Sequence, residues 1–324
     1  MSSRVTTTPS YRPILKSALH HVFVKRDVWF FGIFALILGS GSALETVLRA
    51  RNGIEAFDAP FLNRLFPYAE ILRQWVDQLA VLPSIRSFLT VTILAATAIG
   101  LILLGALSQG VIIHGAKSRR TDPHLSVLID HAKANLGRVL VVDLVMKVAL
   151  ALCVVVLLAP LFTRVPVFSD VLLFLQAVVG YGLMLVVSLL GIFTLTAILN
   201  HGANPKEGFQ EAWSLLRKNP SASLETVFLL FLLNFLVGLG VLLFLLLLSL
   251  PYTFFFLLGA TGGSVLATTL SSTITFLIAI ASLVLLGGAT TAYNYTVLAM
   301  LYERLRTGRF KSKLQRLRTT RYWF

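Results

Sequence analysis

Cysteine is nearly absent: Cys153 is the one thiol in 324 residues. A lone thiol closes no internal disulfide, which excludes a disulfide-stapled scaffold. Inside its apolar run Cys153 reads as a small buried hydrophobe. Charge is scarce as well. Asp, Glu, Lys and Arg make up 13% of the chain, where soluble domains carry roughly 25%. That excludes an ordinary soluble globular protein and a disordered chain. Catalytic signatures are also missing: no P-loop, no dinucleotide-binding glycine motif, no His-Glu-x-x-His, no nucleophile elbow. The six histidines, His20, His21, His114, His124, His131 and His201, show no metal-ligand spacing with acids. Neither a metal nor another cofactor is expected.

What the chain has is apolar length. Hydrophobic residues make up 56% of it, and six runs stand out, at about 28–47, 88–113, 139–162, 171–199, 227–250 and 274–301. Most exceed the roughly 18 residues that read as a membrane span. In lipid every backbone polar group must be satisfied within the segment, so each run is expected to be helical. The expected fold is an all-α membrane protein of six transmembrane helices. Residues 1–27 form an N-terminal segment, 28–302 the spanning domain and 303–324 a basic tail. Pro251 removes a helical hydrogen bond, so the fifth span is expected to kink or stop there and the segment to Gly263 to fold back. Ser40, Gly41, Ser42 and Ala43 offer a small-residue cleavage site after the first run. The basic region before that run is long for a signal peptide, and an uncleaved first span is the expectation.

The charges assign the sides. Twenty-one Lys and Arg and seven acids fall on the side of both termini and the second and fourth connections; the other connections hold six of each. Asp143 and Lys147 lie within a span. The positive-inside rule then places both termini in the cytoplasm, with the protein in the cell membrane.

Three cytoplasmic segments share a pattern. After Pro13 come Leu15, Ala18, Leu19 and Val22; after Pro123 come Leu125, Leu128, Ile129 and Ala132; after Pro205 come Phe209, Ala212, Trp213 and Leu216. Each set is one stripe of a 3.6-residue helix, which predicts in-plane amphipathic helices. Asn204, Pro205 and Glu207 form a start signal, as does Asp122 before Pro123, while Asn219-Pro220 and Asn135 mark stops. His114-Gly115-Ala116 closes the second span and His201-Gly202-Ala203 the fourth. Together these predict an internal repeat of span, in-plane helix and span, with the sixth span, the N-terminal helix and the first span as a third, split copy. His114 and His201 would then form a repeat-related interface, facing each other across the pseudo-axis or merely ending their helices.

The in-plane helices carry Lys and Arg opposite their stripes, which places them at the headgroup level with anionic lipid as a partner; they read first as covers over the cytoplasmic ends of the bundle, with lipid or partner sensing as the alternative. The tail, from Arg304 to Tyr322-Trp323-Phe324, fits an interfacial anchor but reads first as a solvated positive-inside flank; no nucleic acid is expected. In the outer connection, stripes around Phe57–Phe66 and Leu72–Leu79 predict two short interfacial helices. At membrane depth Asp143 and Lys147 sit four apart on one helix face, either an ion or proton relay or a self-neutralising pair. Asn234 reads as interhelical glue. Gly100, Gly105, Gly110 and Gly115, and Gly287, Gly288, Thr291 and Ala292, allow close helix approach.

Arg26-Asp27-Val28-Trp29-Phe30-Phe31-Gly32, the two span–HGA–helix units and the closing AYNYTVLAMLYERLR from Ala292 to Arg306 resemble a loosely defined group of uncharacterised bacterial integral membrane proteins, similar to the membrane domain of glycerophosphoryl diester phosphodiesterases. In those phosphodiesterases a separate soluble barrel carries the catalytic residues, and the 324 residues here leave no room for one. The resemblance therefore implies the membrane architecture and not the activity, and no catalytic residue is carried over. The first expectation is a non-catalytic protein of envelope organisation, or an accessory subunit with a protein partner or in a homo-oligomer. Handling or transport of a lipid or small solute is the alternative. An intramembrane enzyme is the third, and it requires His114 or His201 beside an acid.

Overall fold

The computed structural model describes residues 11–25, 27–37, 84–117, 124–162, 170–261 and 265–308. Among these the protein is all helix, with no strand. Nine helices follow one another: α1 Tyr11–Val24, α2 Asp27–Ile37, α3 Ser84–Lys117, α4 Leu125–Ala134, α5 Leu136–Phe162, α6 Asp170–His201, α7 Pro205–Lys218, α8 Pro220–Thr261 and α9 Val265–Arg306. Four stretches are long and apolar enough to cross a membrane: Phe88–Lys117, Val178–His201, Pro220–Leu250 and Ser272–Arg306. The protein is therefore a helical membrane protein. Helix α2 is described only as far as Ile37, and α5 carries Arg138, Asp143 and Lys147 in its first half. The outer connection, the small-residue stretch after the first run, Pro123 and the tail beyond Gly308 lie outside the described residues.

Helices α3, α6 and α9 pack on one another at the centre. Each carries a short helix against its end: α4 lies on α3, α7 on α6 and α1 on α9. Helix α2 fits against α9 and α3, α5 against α6 and α3, and α8 against α9. The core sits at one end of this bundle, the end that also holds Lys117, Arg217 and Arg306. Ile112 and Ile113, Phe193 and Ile198, and Tyr295 and Leu301 are among its fully buried side chains. Beyond it the same helices turn outward-facing on every side. Consecutive residues Val91 to Ile99 of α3 are all exposed, and so are Phe276, Leu277 and Ile278 of α9. Apolar exposure of this kind along α3 and α9 suits a hydrocarbon layer, about 30 Å of it.

The short helices bury a common register. Ala18 and Val22 of α1, Leu128 and Ala132 of α4, and Ala212 and Leu216 of α7 are buried. The remaining stripe positions lie further out: Leu19, Leu125, Phe209 and Trp213 are exposed, while Leu15 and Ile129 are half-buried. Backbone capping fits the sequence at α7, where the Asn204 N–H donates to Glu207 Oε2 at 3.2 Å and Asn219 follows the last turn. Asn135 is the single residue between α4 and α5.

Two local expectations differ from the structure. Pro251 does not stop the helix: α8 continues to Thr261. Ser249 Oγ donates to the Leu246 carbonyl at 2.6 Å and Thr253 Oγ1 to the Ser249 carbonyl at 2.8 Å. Neither bond replaces the one lost at the Leu247 carbonyl; in a bilayer no water competes for the neighbouring backbone bonds, and the helix runs on through the proline. The two HGA triplets also part ways. Gly202 has φ +68° and ends α6, its N–H bonded to the Ile198 carbonyl. Gly115 is helical and buried, and α3 runs on to Lys117.

Glycines set the closest contacts. A Cβ on Gly32 of α2 would stand 2.0 Å from the Gly288 carbonyl oxygen of α9, and one on Gly288 would meet Ile33 and the Trp29 carbonyl. On α3, Gly110 faces Ala132 and Gly115 faces Leu128, so α4 lies back across the last turns of α3. Gly100 faces open space.

Candidate functional site

Polar side chains gather where the central helices end at the packed end of the bundle. Glu303 of α9 is the hub. It accepts a hydrogen bond from Asn200 Nδ2 at 3.0 Å, and its Oε1 lies 3.0 Å from His201 Nε2. Lys117, the last residue of α3, donates to the Asn200 carbonyl. A lysine at a helix C-terminus matches both the free carbonyls there and the negative end of the helix dipole. Thus α3, α6 and α9 are tied by one chain of bonds, with Asn200 at its middle.

The second element of the cluster is a pair of imidazoles. The rings of His114 on α3 and His131 on α4 stack with centroids 3.9 Å apart and planes 18° from parallel. His131 Nε2 reaches the Leu199 carbonyl of α6 at 2.8 Å, so His131 is the donor and α4 is fastened to two central helices at once. His21 of α1 lies close by, its Nε2 3.8 Å from where a Gly115 Cβ would stand. Around the rim, Arg306 Nε pairs with Glu211 of α7 at 2.7 Å, and Tyr11 of α1 donates to Glu225 of α8. Tyr302 is fully buried between the rings of Phe193 and His201.

The residues singled out from the sequence separate here. His114 stacks on His131 and interacts with Asn200, while His201 meets Glu303, to which Asn200 also donates. Asp143 and Lys147 do meet, at 2.8 Å along α5, with Asp143 buried and Lys147 half-exposed. Neither makes a bond to another helix among the described residues. Asn234 Oδ1 is buried and has no hydrogen-bond partner among the described residues. Gln109 of α3 is fully buried, and neither amide atom has a hydrogen-bond partner among the described residues. A shallow open groove beside Ser272, Thr275 and Phe276 of α9 lies apart from the cluster.

Sequence reasoning passed over Glu303, Asn200 as a bridge, His131 and Lys117. Glu303 pairs with residues more than a hundred positions away, so no spacing rule reveals it. The available signal was that Glu303 is the one acid in the whole C-terminal stretch from Val227 onward. Among the described residues, no group of three or more His, Cys, Asp or Glu is placed to hold a metal ion. Chemically the cluster offers a carboxylate-oriented imidazole at His201, a stacked imidazole pair, and carbonyls capped by a lysine. No family model, curated protein or solved structure matches the chain.

Proposed function

We propose that this chain is a six-span protein of the cell membrane, with both termini in the cytoplasm, that acts as an envelope organiser or accessory subunit and not as a catalyst. The observation that carries the role is how the polar groups are used. Glu211, Glu225 and Glu303 each bind a residue of another helix, and Lys117 caps the end of α6. Such bonds lock helix ends together, while large apolar side chains stay outermost on the long helices for lipid or a partner's helices. The charge distribution of the chain supports the topology.

The repeat belongs to the same proposal. The common burial register of α1, α4 and α7, and the matching seats of α4 on α3, α7 on α6 and α1 on α9, support three copies of one unit. Their exposed lips and basic residues support helices lying among anionic headgroups of the cytoplasmic leaflet. Native mass spectrometry of the full chain, gently extracted from its own membranes, tests the role. A protein partner or a homo-oligomer of fixed stoichiometry is expected; a monodisperse single copy free of other protein overturns it.

A second reading, an enzyme acting on lipid esters, is favoured by His201 beside Glu303. A carboxylate that orients an imidazole prepares it to draw a proton from water. Lipid turnover that disappears in His201→Gln would establish this reading. No turnover by the wild-type protein in mixed-lipid vesicles would remove it.

A further inference from the structure

The three outgoing helices do not close the bundle equally. Helix α2 is locked to α9 at Gly32 and Gly288, and α5 packs on both α3 and α6. The remaining outgoing helix, α8, packs along α9 but makes no comparable contact with α6 among the described residues. Among the described residues the bundle is therefore open at its side between α6 and α8. Both helices leave large apolar side chains exposed, Leu183 and Val186 on α6 and Phe228 and Phe231 on α8.

Helix α7 connects these two helices and has two different flanks. Its buried stripe, Gly208, Ala212 and Leu216, lies against the core, with Gly208 beside the Thr194 carbonyl and Ile198 of α6. One flank carries Glu211 and is held to α9 through Arg306. The other carries Lys206, Phe209, Trp213 and Arg217, spaced three, four and four apart, so that they share one face. All four are exposed, and neither cation is paired with an acid among the described residues. Two cations flanking two aromatic rings, one short connector away from an apolar opening, match a single amphiphile: an anionic headgroup above, hydrocarbon chains beside it.

We propose that the opening between α6 and α8 seats one anionic phospholipid of the cytoplasmic leaflet. Its phosphate lies between Lys206 and Arg217, its interfacial region against Trp213 and Phe209, and its acyl chains along α6 and α8. The lipid takes the place that helix contact fills at the other two junctions. This seat rests on the reading above, that α7 lies among anionic headgroups. Glu211 gives the opposite flank of α7 the wrong charge for a phosphate, which confines the site to one side.

The test uses the full chain in bilayers of phosphatidylcholine with a minor share of phosphatidylglycerol, followed by native mass spectrometry in mild detergent. One phosphatidylglycerol per chain is expected to survive extraction in preference to phosphatidylcholine. At about 1 kcal/mol for each cation near the surface, Lys206→Gln with Arg217→Gln lowers that retention about thirtyfold. Lys218→Gln, on the other side of the helix, leaves it unchanged. Equal retention of both lipids, an unaltered double variant or an equal loss in Lys218→Gln overturns the seat. Spin-labelled phosphatidylglycerol in the same bilayers reports the loosely held lipid around the protein. A persisting preference there, without a retained lipid, fells the seat alone; loss of both fells the headgroup reading with it.

Discussion

At Gly288 a single hydrogen atom decides whether two helices meet. Its Cβ position is already occupied by Ile33 and lies 3.1 Å from the Trp29 carbonyl, and Gly32 is blocked in turn by the Gly288 backbone. Backbone cannot rotate away as a side chain does, so Gly288→Ala must push α2 and α9 apart. Overpacking of this kind costs about 1–3 kcal/mol, read as a lower unfolding temperature in detergent. Gly100→Ala, which faces open space, is the control and should leave that temperature the same or higher. An equal drop for both would show that the α2–α9 crossing is not set by these glycines. Close approach at Gly288 was legible in the sequence, since small residues at helical spacing have few other uses in a span. Which of the α3 glycines matter was not: Gly110 and Gly115 receive a short helix, and Gly100 receives nothing. Glu303 marks the same limit for polar groups, because its partners come from α6 and only the fold brings them near.

The short helices show what periodicity tells and what it leaves out. Their stripes were readable as helix faces, and Ala18, Leu128 and Ala212 are buried as a stripe implies. Half of each stripe lies further out, because an apolar side chain serves equally against protein or against lipid, and spacing does not distinguish the two. Helix α4 is held by more than its stripe. The His114–His131 stack and the bond from His131 to the Leu199 carbonyl fasten it to α3 and α6. His131→Phe keeps a flat ring for stacking and removes the donor. One hydrogen bond is worth about 0.5–1.5 kcal/mol net, so backbone amides from Leu128 to Ala134 should exchange faster by roughly two- to tenfold. Amides of α7, which has its own capping at Asn204 and Glu207, should not change. Acceleration in both helices, or in neither, would mean that this bond is not what holds α4.

Over the whole molecule, composition reveals the solvent and charge sets an expectation for the sides, while packing stays hidden. Membrane-length helices could be read from apolar runs because the bilayer fixes their minimum length. Pro251 reads as a kink or a stop, and α8 runs on to Thr261, because nothing in a proline tells whether the rest of the helix holds across the lost bond. The division into a packed end and a lipid-exposed end was equally illegible, since both are apolar. It has a consequence for topology. All the described bonds of the cluster, from Lys117 to Arg306, lie at the end where α1, α4 and α7 pack. If that end faces the cytoplasm, reporters inserted at 118–123 and 202–204 and fused to either terminus must sit in one compartment. Reporters at 163–169 and 262–264 must sit in the other. Six spans require this alternation, and the positive-inside rule requires the first group to be cytoplasmic. Termini in opposite compartments would break the alternation and, with it, the three-copy unit. The reverse orientation would keep the unit and move the exposed cationic flank of α7 to the outer leaflet.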